Sequence, residues 1–246
     1  YTLTGQTYAL TADFAAEGYL YIPSDVEAVI DLNGHTIDRG LTAASDTGYV
    51  IRNEGTLTIR DSSGTNAGKV TGGYAQQGGA VNNTGALTIE GGTFEYNKGS
   101  NEAGAVYNKQ NATLNVTGGV FRHNASETNG GGAFVNSGTM TMSGGTVSDN
   151  KAKMNGGGIW NGGSGASLTL TGGTITGNMA EDKGSGIYAR NDGTVNVSGS
   201  PVIKDNVKNN LFLDAGTQIN VGGTLTNNAH IDVSGSNFPR AVTSGL

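Results

Sequence analysis

Side chains able to carry out acid–base or nucleophilic chemistry are few in this sequence. There are 20 Asp and Glu residues and 3 His but no Cys, which excludes disulfides, a thiolate nucleophile and thiolate-ligated metals. His123 and Asp149 occupy the same position in two similar segments, as do Glu95 and Arg122. Neither pair has a Ser or Tyr placed as an activated nucleophile, so we interpret both as charge pairs. The sequence therefore predicts no catalytic residue, no metal site and no cofactor, and His35 in Asn-Gly-His is interpreted as a turn residue.

Aromatic side chains form a second group with functional potential. They occupy one position of the repeat, directly after an apolar residue in a short alternating segment. The residues at this position are Arg52, Asn82, Tyr107, Val135, Trp160, Tyr188 and Phe212. Alternation directs this position outward. We predict that Trp160, Tyr188 and Phe212, with Tyr107, form a ligand-binding strip for sugar rings or a protein partner. Two alternatives stay open: a corner loop such as NMAEDKGSG covers the strip, or stacking only stabilises the fold.

A third group is rich in Thr and flanks a recurring aliphatic pair. Its members are Thr56/Thr58, Ala86/Thr88, Thr113/Asn115, Thr139/Thr141, Ser167/Thr169 and Thr194/Asn196. A flat array of this kind resembles the surface of ice-binding β-helices. The alternative is that Thr is simply a good outward strand residue, and Arg60 and Glu90 interrupt the flanking column.

All three groups are positioned by an internal repeat of 24 to 30 residues. Its centre is an alternating aliphatic pair, found as Leu57/Ile59, Leu87/Ile89, Leu114/Val116, Met140/Met142, Leu168/Leu170, Val195/Val197 and Ile219/Val221. A second apolar position with Asn three residues later follows it, as in Phe94/Asn97, Phe121/Asn124, Val147/Asn150, Ile175/Asn178, Ile203/Asn206 and Leu225/Asn228. Each unit therefore predicts three short strands, with the Asn in the left-handed conformation and hydrogen-bonded along its own column.

A unit this short cannot bury an apolar face alone, but stacked units enclose a continuous core. The sequence predicts an all-β fold, a parallel β-helix or solenoid of about seven coils of three short strands plus an N-terminal cap. Residues 1–47 are the expected cap and initial coil, 48–235 the coils, and 236–246 a C-terminal tail that is either a cap or the end of a fragment. The whole is expected to be one domain.

Composition limits the classes of partner and cellular location. The 246-residue chain has a net charge of −6, which argues against a nucleic-acid partner. The sequence contains no run of about 18 apolar residues, so we expect no membrane insertion. The first residues, YTLTGQTYAL, lack the pattern of a signal peptide, so any export signal is expected outside this sequence.

The repeat resembles the right-handed parallel β-helices of the pectin-lyase-like superfamily, and DLNGHTI is similar to an early coil of many members. GGAV with FEYN, GAV with FRHN, and GGAF are similar to the repeats of chlamydial polymorphic membrane proteins, and the chain also resembles glycine-rich surface proteins of gut Firmicutes. The resemblance, with the general preference of parallel crossovers, implies a right-handed coil.

This resemblance also implies an extracellular protein of the bacterial surface or a secreted one. We expect a non-catalytic adhesin segment that presents a lateral face to a glycan or to a surface protein of a host or neighbouring cell. The alternatives are a carbohydrate-active lyase or hydrolase, an ice-binding protein and a spacer. Exposed strand edges at uncapped ends predict end-to-end self-association.

Overall fold

The chain folds as an all-β parallel solenoid of about eight turns, slightly more than the predicted seven. The computed structural model describes residues 1–236 and the strand Thr243–Ser244; most of the predicted tail lies outside the described residues. The extra turn arises in residues 1–47, whose five strands, from Thr7–Ala9 to Thr36–Asp38, extend the same sheets as the later coils. In the described part of the chain there is no helix, and hence none long and apolar enough to cross a membrane.

Three sheets run along the solenoid, as the repeat predicts. Sheet 1 contains Leu20–Ile22, Ile51–Asn53, Val81–Asn83, Val106–Asn108, Phe134–Asn136, Ile159–Asn161, Ile187–Ala189, Leu211–Leu213 and Val233–Gly235. Sheet 2 contains Thr7–Ala9, Glu27–Asp31, Thr56–Arg60, Ala86–Ile89, Thr113–Val116, Thr139–Met142, Ala166–Leu170, Gly193–Gly199, Ile219–Leu225 and Thr243–Ser244. Sheet 3 contains Phe14–Ala15, Thr36–Asp38, Lys69–Thr71, Thr93–Glu95, Val120–Arg122, Thr146–Ser148, Thr174–Thr176, Val202–Ile203 and His230–Ile231.

A fourth, shorter sheet was not predicted. Sheet 4 contains Tyr74–Gln77, Lys98–Glu102, Ala125–Ser126, Lys151–Ala152 and Met179–Ala180. It lies between sheet 3 of each coil and sheet 1 of the next. The five coils that include it therefore have four sides.

The interior consists of vertical files of apolar side chains, one residue from each coil. Ile89 pairs with Val116 and Val116 with Met142, and all three are fully buried. Removing an aliphatic side chain of this size from water contributes about 1.5–3 kcal/mol. Because each strand lies directly over the next, one repeat of the sequence corresponds to one step along the stacking axis of the fold.

Two files of buried Asn side chains run beside the apolar files. One follows sheet 3: Asn97, Asn124, Asn150, Asn178 and Asn206 each donate from Nδ2 to the next amide oxygen, at 2.9–3.1 Å. The hydrogen bonding confirms the predicted column, but the predicted left-handed conformation is wrong for these Asn residues. The residue before each Asn has the positive φ instead, for example Tyr96 and His123.

The second Asn file was missed although its signal is in the sequence. Asn recurs two residues after the first inward position of sheet 1, and Asn53, Asn83, Asn108, Asn136 and Asn161 form a hydrogen-bonded ladder at 2.7–2.8 Å. A buried amide needs partners for its donors and acceptors, and a neighbour with the same side chain supplies them.

The predicted assignment of Leu225 and Asn228 to sheet 3 is wrong. Leu225 belongs to the sheet 2 strand Ile219–Leu225 and is 38% exposed, while Ile231 pairs with Ile203 in sheet 3. The sheet 2 register shifts between Val197 and Gly199, so the strand runs through Gly-Gly instead of turning there.

Turns are built where the sequence predicts them. Asn33 and Gly34 have positive φ, and the His35 amide donates to the Leu32 carbonyl at 2.8 Å, so His35 is a turn residue as predicted. At the corner between sheets 4 and 1, a side chain on Gly132 would collide with the carbonyl of Gly157 in the next coil. Glycine is needed there because successive backbones pass in direct contact.

Candidate functional site

The outward aromatic residues lie in one file along sheet 1, in the predicted register. Asn82, Tyr107, Val135, Trp160, Tyr188 and Phe212 pair in that order in successive coils. Neighbouring members are one strand spacing apart, about 4.8 Å. The file is therefore continuous in space, but its members differ in how far solvent reaches them.

Tyr188 and Phe212 are covered, so the prediction of an exposed strip is wrong at these two positions. Tyr188 is 8% exposed and Phe212 9% exposed, and their rings stack with centroids 6.0 Å apart. Lys183, from the corner loop NMAEDKGSG, places its Nζ 5.4 Å from the Phe212 ring centroid. The alternative in which a corner loop folds over the strip therefore describes this end of the file.

The hydroxyl of Tyr188 also has a structural partner. It donates to Asp214 Oδ2 at 2.9 Å. Burial, together with this hydrogen bond and the negative charge of Asp214, raises the pKa of Tyr188 to about 12. The Tyr188 hydroxyl therefore stays protonated at physiological pH. Its hydrogen bond fixes Asp214, in the loop that follows the sheet 1 strand of the next coil.

Trp160 keeps part of its ring accessible. Its five-membered ring packs on Gly130 of the preceding coil, where any side chain would collide with it, and its six-membered ring extends over Gly162. The Arg190 guanidinium lies 5.8 Å from the ring and also contacts Asp192, at 3.6 Å. Two glycines and one cation thus contact the indole.

A groove of about 410 Å³ opens beyond Gly162. It is lined by Tyr107, Lys109, Gln110, Ser137, Gly163 and Ser164, and Gln110 Nε2 donates to the Ser164 carbonyl at 3.1 Å across it. We call this depression the Trp160 groove, after the nearby indole, whose six-membered ring lies at Gly162, next to the lining residue Gly163. It lies at the corner where sheet 1 turns into sheet 2.

Of the four predicted binding residues, Tyr107 lines this groove and Trp160 lies beside it. They lie two coils apart, about 10 Å, with buried Val135 between them. Burial, reinforced by the Glu102 carboxylate, raises the pKa of Tyr107, so its hydroxyl remains a hydrogen-bond donor at neutral pH. The groove therefore offers the Tyr107 ring with hydroxyl, amide and ammonium groups, and the Trp160 ring lies next to it.

The predicted charge pairs have different outcomes. Arg122 Nε donates to Glu95 Oε2 at 2.8 Å, as predicted, and Lys69 Nζ approaches the other oxygen at 2.7 Å. Within residues 1–236, no ion pair joins His123 to Asp149; the His123 ring stacks on Tyr96 instead, with centroids 5.3 Å apart. That interpretation of His123 and Asp149 is therefore wrong.

The most deeply buried carboxylates belong to structural networks. Burial alone would raise the pKa of Glu95, but its two cationic partners lower it below its usual value. Burial has the same effect on Asp31, and its pKa is also lowered, by hydrogen bonds from Ser62, Arg60 and Asn33. Both carboxylates are thus held ionised and fully hydrogen-bonded. Among the residues the structure describes, no group of three or more His, Asp or Glu side chains is arranged to hold a metal ion.

Comparison with known proteins gives no match: no protein-family model, no curated protein and no solved structure matches this chain.

Proposed function

We propose that this chain is a non-catalytic β-helix segment of a bacterial cell-surface or secreted adhesin, and that it presents the Trp160 groove to a glycan. The observation that carries the proposal is the groove itself, on the side of a solenoid whose core files and Asn ladders hold the backbone rigid. A pre-formed site of this kind loses little conformational entropy on binding.

The chemistry of the groove favours a sugar over a flat protein surface. Tyr107 and Trp160 offer apolar ring faces about 10 Å apart, which suits every second sugar ring of one extended chain. Lys109, Gln110 and Ser164 line the groove and can hydrogen-bond to sugar hydroxyls. The Arg190 guanidinium lies 5.8 Å from the centroid of the indole.

The extracellular location rests on sequence resemblance. The GGA-aliphatic and F-x-x-N segments are similar to repeats of chlamydial polymorphic membrane proteins and of gut Firmicutes surface proteins, and the coil is similar to pectin-lyase-like β-helices. We extend that resemblance to a right-handed coil and to a surface or secreted adhesin whose ligand is a glycan, or a protein displayed by a host or neighbouring cell.

The test is a glycan array followed by titration calorimetry with the best ligand. We expect the Trp160→Ala/Tyr107→Ala double variant to lose at least about tenfold in affinity, equivalent to about 1.4 kcal/mol. The control is Val207→Ala, which removes an exposed apolar side chain from another face. Both variants should keep the circular dichroism spectrum of the parent chain.

Three outcomes would contradict the proposal. Full binding by the double variant would remove the groove as the site. Failure to bind any glycan or surface protein would favour a spacer. Release of reducing or unsaturated ends from a polysaccharide would favour the carbohydrate-active enzyme.

A further inference from the structure

A second pair of aromatic rings lies on the surface away from the Trp160 groove. Tyr96 is 61% exposed, and its ring stacks on that of His123 in the next coil, 18° from parallel. Both belong to the corner file, which we define as the positive-φ residue at the corner after sheet 3 in six consecutive coils: Gly72, Tyr96, His123, Asp149, Gly177 and Asp205. This corner joins sheets 3 and 4, whereas the Trp160 groove joins sheets 1 and 2.

The backbone makes Tyr96 an unexpected residue at this corner. All members of the corner file have positive φ, between 53° and 72°. Gly, Asn and Asp adopt this conformation readily, but a bulky aromatic residue is strained by about 1–2 kcal/mol. Because the Tyr96 side chain is mostly in solvent, core packing does not offset that strain. Strained residues of this kind concentrate at binding sites.

The Asn ladder behind the corner holds the rings in place. The Asn97 amide N–H donates to Asn124 Oδ1 at 3.1 Å, and Asn97 Nδ2 donates to the Glu95 carbonyl at 3.0 Å. The backbone on both sides of Tyr96 is therefore fixed before any ligand arrives. A fixed aromatic surface binds with a smaller entropic loss than a mobile one.

The surroundings of the two rings indicate which ligand they suit. His123 covers one face of Tyr96, and the other face points to the preceding coil, where Gly72 has no side chain. The Asp38 carboxylate occupies the space that a Gly72 side chain would fill, and Asp149 follows His123 on the opposite side. The sheet 3 cations Lys69 and Arg122 are already paired with Glu95.

We propose that Tyr96 and His123 form a binding site for a neutral pyranose sugar. The C–H face of the sugar ring stacks on the free face of Tyr96, and a hydroxyl on that side donates to the carboxylate of Asp38. Asp38, and Asp149 two coils beyond Tyr96, disfavour an acidic sugar by charge repulsion. This site does not depend on the Trp160 groove. With both sites the chain would engage two glycan strands and gain avidity.

The experiment is an NMR titration of the 15N-labelled chain with cellotetraose, whose equatorial hydroxyls leave C–H groups on both ring faces. We expect saturable shifts at Tyr96, Asn97 and His123. Tyr96→Asn and His123→Asn should each weaken binding by at least about tenfold. Asn accepts positive φ, so both variants should fold. The matched control, Asp205→Asn in the same corner file, should bind like the parent chain.

A charged analogue tests the role of the carboxylates. Cellotetraose carboxylated at C6 should bind at least about tenfold more weakly than the neutral sugar. Equal or tighter binding of that analogue, full binding by Tyr96→Asn, or no saturable shift up to about 10 mM sugar would overturn the proposal. Shifts confined to the Trp160 indole would also overturn it, while supporting the separate groove.

Discussion

The substitution Asn124→Ala is expected to be among the most destabilising single changes in this chain. The Asn124 side chain donates to the Phe94 and Arg122 carbonyls and to Asn150 Oδ1, at 2.8–3.0 Å. Its oxygen accepts from the amide N–H and from Nδ2 of Asn97, both at 3.1 Å. Alanine removes all of these bonds. It adds no backbone strain, because Asn124 does not have a positive φ.

The magnitude follows from what is left unpaired. The buried Asn97 N–H loses its acceptor, which costs about 1–3 kcal/mol, and each further lost bond contributes about 0.5–1.5 kcal/mol. Partners that keep other hydrogen bonds recover part of the total. We therefore expect the free energy of unfolding to fall by about 4 kcal/mol, which is at the upper end of single-substitution effects.

Asn228→Ala is the matched control. The repeat places Asn228 in the same column as Asn124, but in the structure it is exposed at the surface, so its loss should cost less than about 0.5 kcal/mol. The measurement is denaturant unfolding followed by circular dichroism. Amide hydrogen exchange adds a local readout, since the Asn97 N–H should exchange faster only in Asn124→Ala. Equal destabilisation by the two variants would refute the reasoning, because the ladder would then carry no stability of its own.

Three further predictions concern acid stability, coil packing and ice binding. Since Glu95 has a lowered pKa, its ion pairs stabilise the fold above about pH 4 and are lost below it; Glu95→Gln should flatten the fall of melting temperature between neutral and acid pH. Gly132→Ala should cost at least about 2 kcal/mol through collision with the next coil, whereas Gly18→Ala, in open space, should cost little in the same thermal melt. We expect no thermal hysteresis in an ice-growth assay, because Asn196 interrupts the Thr array and hydrogen-bonds to its hydroxyls; measurable hysteresis would favour ice binding.

The files of the core could be predicted from the sequence because their signal is strictly periodic. Ile89, Val116 and Met142 sit at fixed offsets from their Gly-rich corners, so stacking was the only arrangement that buries them together. Sheet 4 gives no such signal. Its strands Ala125–Ser126 and Lys151–Ala152 have two residues each and no aliphatic pair. They extend because their neighbours in adjacent coils are already extended.

The candidate site was predicted only in part, since exposure depends on loops outside the repeat. Strand alternation gives the outward direction of Trp160 and Tyr188 correctly, but the corner loops that cover Tyr188 differ in length and sequence between coils. The repeat pattern does not indicate that Tyr96 is exposed. It also predicts the left-handed backbone at Asn97, one residue later than Tyr96, where the structure has it.

Each repeat of the sequence advances the fold by one strand spacing. Pulsed electron-spin distance measurements test this relation most directly. The chain has no Cys, so spin labels can be attached at engineered cysteines replacing outward residues of sheet 2. Thr58 serves as the reference, and Thr169, Asn196 and Asn220 lie four, five and six coils further along the file. We predict label distances centred near ~19, ~24 and ~29 Å, rising by about 4.8 Å per repeat. Distances that do not rise by one strand spacing with each repeat would contradict the account.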